Sequence, residues 1–297
     1  MKKKLTTLGT VIIVGLLILV GCGTDDSDEI VIGGKDFTEQ YVMAEMMGIL
    51  IEENTDLDTS LELNLGTSVI HGAIENGDID LYLEYTGTGL INTGTDLISD
   101  PEEAYNTVSD VFEEQLNVKW LERYGFANTY TLTVTQETAD EYNLSNITEL
   151  SEVANDFVLG APQGFAERED GLPGLVEHYN FEFANSTMMA PALMYPALVE
   201  DEVDVIAGFT TDGQVATYDL VTLEDDQQFF PPYDAAPLVR NETLEAHPEL
   251  EEILNQLAGR IDDATMAELN AQVDTDNLEP ADVARDFLIA EGLINED

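Results

Sequence analysis

Strand-like and helix-like hydrophobic patterns alternate along the chain, and this alternation restricts the possible folds more than any other feature of the sequence. The elements predicted in the N-terminal part are strands at 29–33, 61–65 and 78–85, and helices at 38–53 and 68–76. A further helix is predicted at 101–116, where a proline and two glutamates open the segment. From 242 to 297 the pattern is helical, with helix starts at Pro248 and Pro280. Strands that alternate with helices predict an α/β fold with largely parallel sheets.

The N-terminal segment has the layout of a secretory signal peptide. Three lysines precede an apolar run from Leu8 to Val20, which is shorter than the ~20 residues that a membrane-spanning helix needs. The run ends in LVGC, which resembles a bacterial lipobox, and Cys22 is the only cysteine of the chain. We predict a signal peptide at 1–21, a lipid on Cys22 and an acidic tether at 22–28. The lipid would anchor a soluble body to a membrane surface outside the cell.

Acidic residues dominate the charge of the chain. It contains 61 Asp and Glu against 10 Lys and Arg, which corresponds to a formal net charge of -51. Because the sequence has no basic patch, nucleic acid is excluded as a partner. Hydrophobic residues make up 44% of the chain, so we expect the acids to coat a well-defined core. Such a composition resembles that of proteins from salt-adapted organisms, where high salt screens the repulsion between like charges.

Two segments of the chain resemble each other without a gap. They are AIENGDIDLYLEYTGTG at 73–89 and ALVEDEVDVIAGFTTDG at 197–213, and Tyr85 of the first falls opposite Phe209 of the second. A weaker similarity relates VIGGKDF at the first predicted strand to VLGAPQGF in the second half. Chance similarity between two helix–strand units is one interpretation. The other is two lobes built alike, each pointing a strand end and an aromatic side chain toward a shared cleft, which is a favoured place for ligands.

Signatures of catalysis are scarce. His71, His178 and His247 are scattered without the spacing of a metal site. Neither HExxH nor GxSxG occurs, and the GTGTG string lacks the spacing of a dinucleotide-binding loop. We therefore expect a protein that is not an enzyme and that uses no metal and no cofactor. A surface-anchored glycan hydrolase is the alternative from another class, and it would need two partly buried carboxylates facing a groove.

Two cations lie where strands are predicted to end. Lys35 follows Gly33 and Gly34 just before the first helix, and Arg168 lies in the corresponding loop of the second half. Charged donors of this kind bind carboxylates, and arginine can do so bidentately. Aromatic faces attract cations, and a cage of aromatic rings suits quaternary ammonium groups, which have no N–H to satisfy. Cations at one end of the site and aromatic rings at the other predict a zwitterionic ligand.

Five motifs resemble those of one family of transport proteins. They are GGKDFTEQ at 33–40, NGDIDLYLEYTGTG at 76–89, ANTYTLTV at 127–134, EREDGLPGL at 167–175 and GFTTDG at 208–213. Over roughly residues 29–295, the chain resembles the glycine betaine/choline/carnitine-binding proteins of osmoprotectant ABC transporters. The resemblance implies an α/β fold of the type II periplasmic-binding-protein class, with two lobes and a hinged interdomain cleft. Lobe I would comprise 29–130 and 234–297, and lobe II would comprise 131–233.

The resemblance also implies which residues bind the ligand. The aromatic cage would consist of Tyr85, Tyr130, Phe209 and Tyr233. The ligand carboxylate would be bound by Lys35, Thr88, Arg168 and Gln40. The family usually has tyrosine at the position of Phe209, and phenylalanine keeps the π-face but lacks the hydroxyl group.

The sequence thus predicts an extracellular, lipid-anchored solute-binding protein of an osmoprotectant ABC importer. It would bind glycine betaine, or a related quaternary ammonium compound such as proline betaine, and deliver it to a permease that works with an ATPase. We expect a monomer on the outer face of the cell membrane. A choline- or carnitine-specific binding protein is the nearest alternative, and a purely structural surface protein is a more distant one.

Overall fold

The computed structural model describes residues 29–296, and within this range the chain forms two five-stranded β-sheets flanked by helices. The predicted signal peptide, the tether and Cys22 lie outside the described residues. We use lobe I for the part of the chain that is built on the first sheet, and lobe II for the part that is built on the second.

The first sheet has the strand order β2-β1-β3-β10-β4. Its strands are β1 (Glu29–Lys35), β2 (Asp58–Leu65), β3 (Leu81–Tyr85), β4 (Val118–Trp120) and β10 (Ala235–Arg240). Strand β1 pairs parallel with β2 and β3, whereas β10 pairs antiparallel with β3 and β4. Strand β10 follows all the strands of lobe II in the sequence. The chain therefore leaves lobe I, forms lobe II and then returns to complete lobe I.

The second sheet has the order β7-β6-β8-β5-β9. Its strands are β5 (Tyr130–Thr135), β6 (Val158–Ala161), β7 (Asn185–Met188), β8 (Val205–Phe209) and β9 (Leu220–Leu223). Strand β6 pairs parallel with β7 and β8, whereas β5 pairs antiparallel with β8 and β9. This is the pattern of the first sheet, with β8 in the place of β3. The similar segments of the sequence therefore occupy equivalent central strands, which end at Tyr85 and Phe209.

Helices cover both sheets. They are α1 (Thr38–Asn54), α2 (Thr67–Asn76), α3 (Thr86–Asn92), α4 (Pro101–Leu116), α5 (Gln136–Tyr142), α6 (Ile147–Ser151), α7 (Gln163–Glu167), α8 (Leu172–Tyr179), α9 (Pro191–Val199), α10 (Gln214–Thr217), α11 (Asn241–Ala246), α12 (Glu249–Leu254), α13 (Asp263–Asp274) and α14 (Pro280–Ala290). Helix α1 is buried along most of its length, and it packs against β1, β2 and the C-terminal helices α12–α14. The C-terminal segment therefore belongs with lobe I.

Helix α4 shows how local signals define an element. Its bounds are those that the sequence predicts, because Pro101 opens the helix and the Asp100 side chain accepts a hydrogen bond from the Glu103 N–H at 2.9 Å.

The TGTG segment after Tyr85 is a helix, although glycine-rich segments are more typical of turns. Helix α3 begins at Thr86, directly after β3. A Cβ at Gly87 would lie 2.7 Å from the Tyr233 ring, and a Cβ at Gly89 would lie 2.8 Å from the Trp120 ring. The glycines therefore let two large aromatic side chains pack against the helix backbone. Burial of these rings outweighs the low intrinsic helix propensity of glycine, which costs about 1 kcal/mol per residue.

Candidate functional site

A cleft of ≈ 640 Å³ lies between the two lobes. Its lining includes Phe37 from lobe I and Tyr130, Arg168 and Phe209 from lobe II. Aromatic faces and a guanidinium group therefore border the same space.

Tyr130 lies at the centre of an aromatic cluster. It is the first residue of β5 and pairs in register with Phe209, the last residue of β8. Its ring centroid lies 5.0 Å from that of Phe209 and 5.7 Å from that of Tyr233. Phe165 and Phe230 complete its surroundings at 4.9 and 6.1 Å. Three of the four predicted cage residues are therefore direct neighbours.

Phe37 lies between Tyr85, the fourth predicted cage residue, and the ring of Phe209. Its ring is stacked with that of Phe209 at 5.8 Å and with that of Tyr85 at 6.4 Å. Sequence reasoning missed this residue as part of the cage. Its signal was present in the weaker internal similarity, in which the segment after β1 ends in Phe37 and the segment after β6 ends in Phe165.

Tyr85 is held in place through its hydroxyl group. The ring is 4% exposed, and its O–H donates a hydrogen bond to Glu39 Oε1 at 2.5 Å. The Lys35 ammonium group lies 4.8 Å from the ring centroid. Tyr85 therefore already interacts with one cation of the protein itself.

Lys35 is buried against lobe I and paired within it. Its Nζ forms an ion pair with Glu84, and Glu84 also accepts hydrogen bonds from the Tyr82 hydroxyl and the Tyr85 N–H. Burial lowers the pKa of Lys35, and the Glu84 carboxylate acts in the opposite direction. The Gln40 side chain accepts from the Lys35 N–H at 3.2 Å and donates to Tyr85 Oη at 2.9 Å. Lys35 and Gln40 thus lie beneath the aromatic cluster and support Tyr85.

Arg168 bridges the two lobes. Its guanidinium group binds Asp170 through Nε, at 2.8 Å, and through Nη2. The other side of the group reaches Thr88 Oγ1 of lobe I, at 3.3 Å from both terminal nitrogens. Asp170 is fully buried and also accepts from the Tyr233 hydroxyl at 2.7 Å. Burial lowers the pKa of Arg168, but the hydrogen bonds to Asp170 raise it to a net value above its ordinary range.

Asp170 therefore orients Arg168, a role that sequence reasoning did not assign. The only sequence signal was its place two positions after the arginine in EREDG. A carboxylate that occupies one edge of a guanidinium group leaves the remaining N–H donors directed at a defined point.

The arrangement is suited to binding rather than to covalent chemistry. Burial raises the pKa of Tyr130 to about 12, so the ring is neutral at physiological pH. Within residues 29–296, no three His, Cys, Asp or Glu side chains are grouped so that they could hold a metal ion. The aromatic rings can hold a cation, and Arg168 can hold an anion.

Asp212 lies next to the aromatic cluster, in the loop after β8. Its Oδ2 accepts hydrogen bonds from the Tyr195 hydroxyl at 2.6 Å and from the Phe209 N–H at 3.0 Å. Burial, together with the negative charges of Glu39 and Asp274, raises the pKa of Asp212 from its ordinary value of 3.8 to about 7.

This pKa makes the stability of the protein depend on pH. Between the pKa of Asp212 in the unfolded chain, 3.8, and its pKa in the folded protein, about 7, the folded protein holds a proton that the unfolded chain has released. The stability that Asp212 contributes is therefore complete below the unfolded pKa and is lost as the pH rises through about 7. Asp212→Asn should therefore become more stable relative to the wild type by about 2 kcal/mol between about pH 5 and about pH 8. Urea unfolding across this range measures the difference. Asp110→Asn, on the exposed face of α4, provides the baseline for losing one negative charge. Parallel stability profiles of Asp212→Asn and the wild type would contradict the prediction.

The comparisons with known proteins agree with this geometry. A crystal structure described as a glycine betaine/carnitine/choline ABC transporter is similar, with a TM-score of 0.74 and 36% identity, over 90% of this chain and 100% of the other. The family model for the substrate-binding domain of ABC-type glycine betaine transport systems matches residues 28–290. The chain belongs to this family.

Relatives of this glycine betaine transport family match the chain over nearly its whole length. The carnitine transport binding protein OpuCC of Listeria monocytogenes is 39% identical over 97% of this chain and 97% of its own. A glycine-betaine-binding protein of Pseudomonas aeruginosa is 33% identical over 94% of this chain and 93% of its own.

Family membership confirms the resemblance, the fold class and the general function that the sequence predicts. The protein is a substrate-binding protein of an ABC importer with a type II periplasmic-binding-protein fold. It is not an enzyme, and the glycan hydrolase alternative is discarded. Substrate-binding proteins of such importers work outside the cytoplasm. Among the helices of residues 29–296, we find none with both the length and the apolar character needed to cross a bilayer.

Proposed function

We propose that the protein captures glycine betaine, or a closely related zwitterion with a quaternary ammonium group, in the cleft between its lobes. The observation that carries the proposal is the position of Arg168 on the same cleft as the cluster around Tyr130. The cleft thus offers both π-faces and a guanidinium group that is already oriented by Asp170. A small zwitterion has the matching groups at its two ends.

The ammonium end would be held by the cage of Tyr85, Tyr130, Phe209 and Tyr233, with Phe37 as an additional wall. A quaternary ammonium group has no N–H, so aromatic faces satisfy it without leaving a donor unpaired. A cage made of carboxylates instead of aromatic rings would also attract sodium and potassium ions. Phe209 supplies the same π-face as the usual tyrosine, which is what the cage requires.

The carboxylate end would be bound by Arg168 together with the Thr88 hydroxyl group. Both lie at the contact between the lobes, so a carboxylate bound there would touch both lobes at once. In our proposal Lys35 and Gln40 support the site through their contacts with Tyr85. The Lys35 ammonium group, paired with Glu84, lies against the Tyr85 ring, and Gln40 fixes the Tyr85 hydroxyl.

The same proposal includes the cellular setting. A lipid on Cys22 would hold the protein, as a monomer, on the outer face of the membrane beside its permease and ATPase. The net charge of -51 supports work in high salt, because acidic surfaces remain soluble when the Debye length is short.

Carnitine and choline remain candidates for the preferred ligand. The Listeria monocytogenes relative is named for carnitine, and the Pseudomonas aeruginosa relative is named for glycine betaine. Carnitine presents the same two charged groups on a longer chain, and a cleft of ≈ 640 Å³ has room for it. Choline lacks the carboxylate, so it would leave Arg168 without a partner in the ligand.

Saturating glycine betaine should raise the melting temperature of the protein. At about 100 times the Kd, a ligand that binds only the folded state adds about 2.7 kcal/mol, which corresponds to a rise of about 5 °C or more for a chain of this size. A thermal-shift screen in high potassium chloride with glycine betaine, carnitine, choline and proline betaine measures the effect. Glycine, which lacks the methyl groups, is the matched control and should leave the melting temperature unchanged. The absence of a shift with all four ligands would contradict the proposed function.

A further inference from the structure

One buried carboxylate joins the two ends of the aromatic cluster. Glu39 lies in the first turn of α1 and is 1% exposed. It accepts hydrogen bonds from four side chains that belong to four separate segments of the chain. These donors are Tyr85, Asn128, Thr211 and Asn270.

The two oxygens of Glu39 serve different parts of the molecule. Oε1 accepts from the Tyr85 hydroxyl at 2.5 Å and from Asn128 Nδ2 at 2.8 Å. Oε2 accepts from the Thr211 hydroxyl of lobe II at 2.6 Å and from Asn270 Nδ2 at 3.4 Å. A single carboxylate therefore fixes Tyr85 through one oxygen and the loop after Phe209 through the other.

The loop after Phe209 is held against lobe I in a second way. Asn270 Nδ2 donates to the Thr211 carbonyl group at 2.9 Å, so both the main chain and the side chain of Thr211 are bound. Thr211 is fully buried and lies two positions after Phe209. Movement of Thr211 relative to Glu39 would carry the Phe209 ring with it.

Burial raises the pKa of Glu39 above its ordinary value, and the hydrogen bonds from its four neighbours act in the opposite direction, because they favour the charged form. Each neighbour donates a hydrogen bond, so an added proton on the carboxyl group would displace one of them. The position in the first turn of α1 adds the favourable interaction of a negative charge with a helix N-terminus. Glu39 is therefore a strong and rigid anchor, in spite of its burial.

We propose that Glu39 is a positioning residue that sets the separation between Tyr85 and Phe209, and thereby the fit of the cage to the methylated ammonium group. The inference rests on the proposed function, because it assumes that these rings form the cage. Glu39 itself does not touch the ligand. Its effect is exerted through the Tyr85 hydroxyl on one side and through Thr211 on the other.

Thr211→Val tests this role without removing the carboxylate. Valine has nearly the same shape as threonine but cannot donate to Glu39, so the direct hydrogen bond between the loop after Phe209 and Glu39 is lost. A hydrogen bond to a charged group is involved, so we expect the Kd for glycine betaine to rise about tenfold. The preference for glycine betaine over dimethylglycine should fall by about threefold or more, because a looser cage distinguishes the number of methyl groups less well.

Two further variants separate positioning from general stability. Thr211→Ser keeps the hydroxyl group, so both the Kd and the preference should stay within about twofold of the wild type. Thr133→Val removes a hydroxyl from another fully buried threonine, which lies in β5 and is not hydrogen-bonded to Glu39, and should leave the preference unchanged. Isothermal titration calorimetry with glycine betaine and dimethylglycine gives all of these values.

The outcomes distinguish this inference from the proposed function. If the wild type binds glycine betaine and Thr211→Val keeps both its Kd and its preference, the positioning role is wrong and the proposed function stands. An equal loss of preference in Thr211→Val and Thr133→Val would also overturn the positioning role. If the wild type binds none of the quaternary ammonium ligands in the screen, the proposed function fails and the inference fails with it.

Discussion

Replacing Arg168 by methionine should weaken the binding of glycine betaine about 100-fold and that of choline by less than about threefold. The reason is that only glycine betaine has a carboxylate to pair with the guanidinium group. Methionine keeps much of the aliphatic stem and removes the charged donors. Calorimetric titration of both ligands measures the two changes in the same protein preparation.

The variant must be combined with a change at Asp170. That carboxylate is fully buried and pairs with Arg168, so its isolation would cost several kcal/mol of stability and obscure the binding effect. Arg168→Met with Asp170→Asn leaves an amide oxygen that can still accept from the Tyr233 hydroxyl. Arg285→Met, an exposed arginine paired with Glu53, controls for the loss of one positive charge from an acidic protein. An equal loss of affinity for both ligands would show that Arg168 does not bind the carboxylate.

Tyr130→Ala should weaken glycine betaine and choline alike, by about 30-fold. Both ligands share the methylated ammonium group, and the Tyr130 ring is in contact with the rings of Phe165, Phe209 and Tyr233. Its removal eliminates one π-face and lets the neighbouring rings relax. Tyr130→Phe should stay within about threefold of the wild type, because it keeps the face and loses only the hydroxyl group.

Tyr142→Ala is the matched control for the cage. Tyr142 is 40% exposed and makes an edge-to-face contact with Phe157 in lobe II, so the same chemical change is made away from the cleft. The control should leave the Kd for both ligands within about twofold of the wild type. A result in which Tyr130→Ala affects glycine betaine but not choline would place Tyr130 at the carboxylate end and contradict the cage.

The two predictions test the two charged groups of the ligand, and together they locate it in the cleft. Arg168 separates ligands by the presence of a carboxylate, whereas Tyr130 acts on the ammonium group that they share. Strong coupling between the two substitutions would indicate that both act through one contact, such as the Tyr233 ring.

Sequence periodicity predicts much of the fold because it reports which face of each segment is buried. The helix at Pro101–Leu116 has local capping signals, and it occurs where they predict it. The internal similarity places Tyr85 and Phe209 at the ends of equivalent strands, and the two sheets have the same order. The segment after Tyr85 differs, because its glycines are explained by the distant rings of Tyr233 and Trp120 and not by a turn.

The sequence by itself determined the α/β class and the family, since these depend on periodicity and on motifs that are contiguous in the chain. Only the tertiary structure decided the partners of the buried polar groups. Glu39 binds Thr211 and Asn270, which are 172 and 231 positions away, and Lys35 pairs with Glu84 from another strand. A buried charge needs partners wherever the fold brings donors near it, and no local pattern records which distant segments will do so.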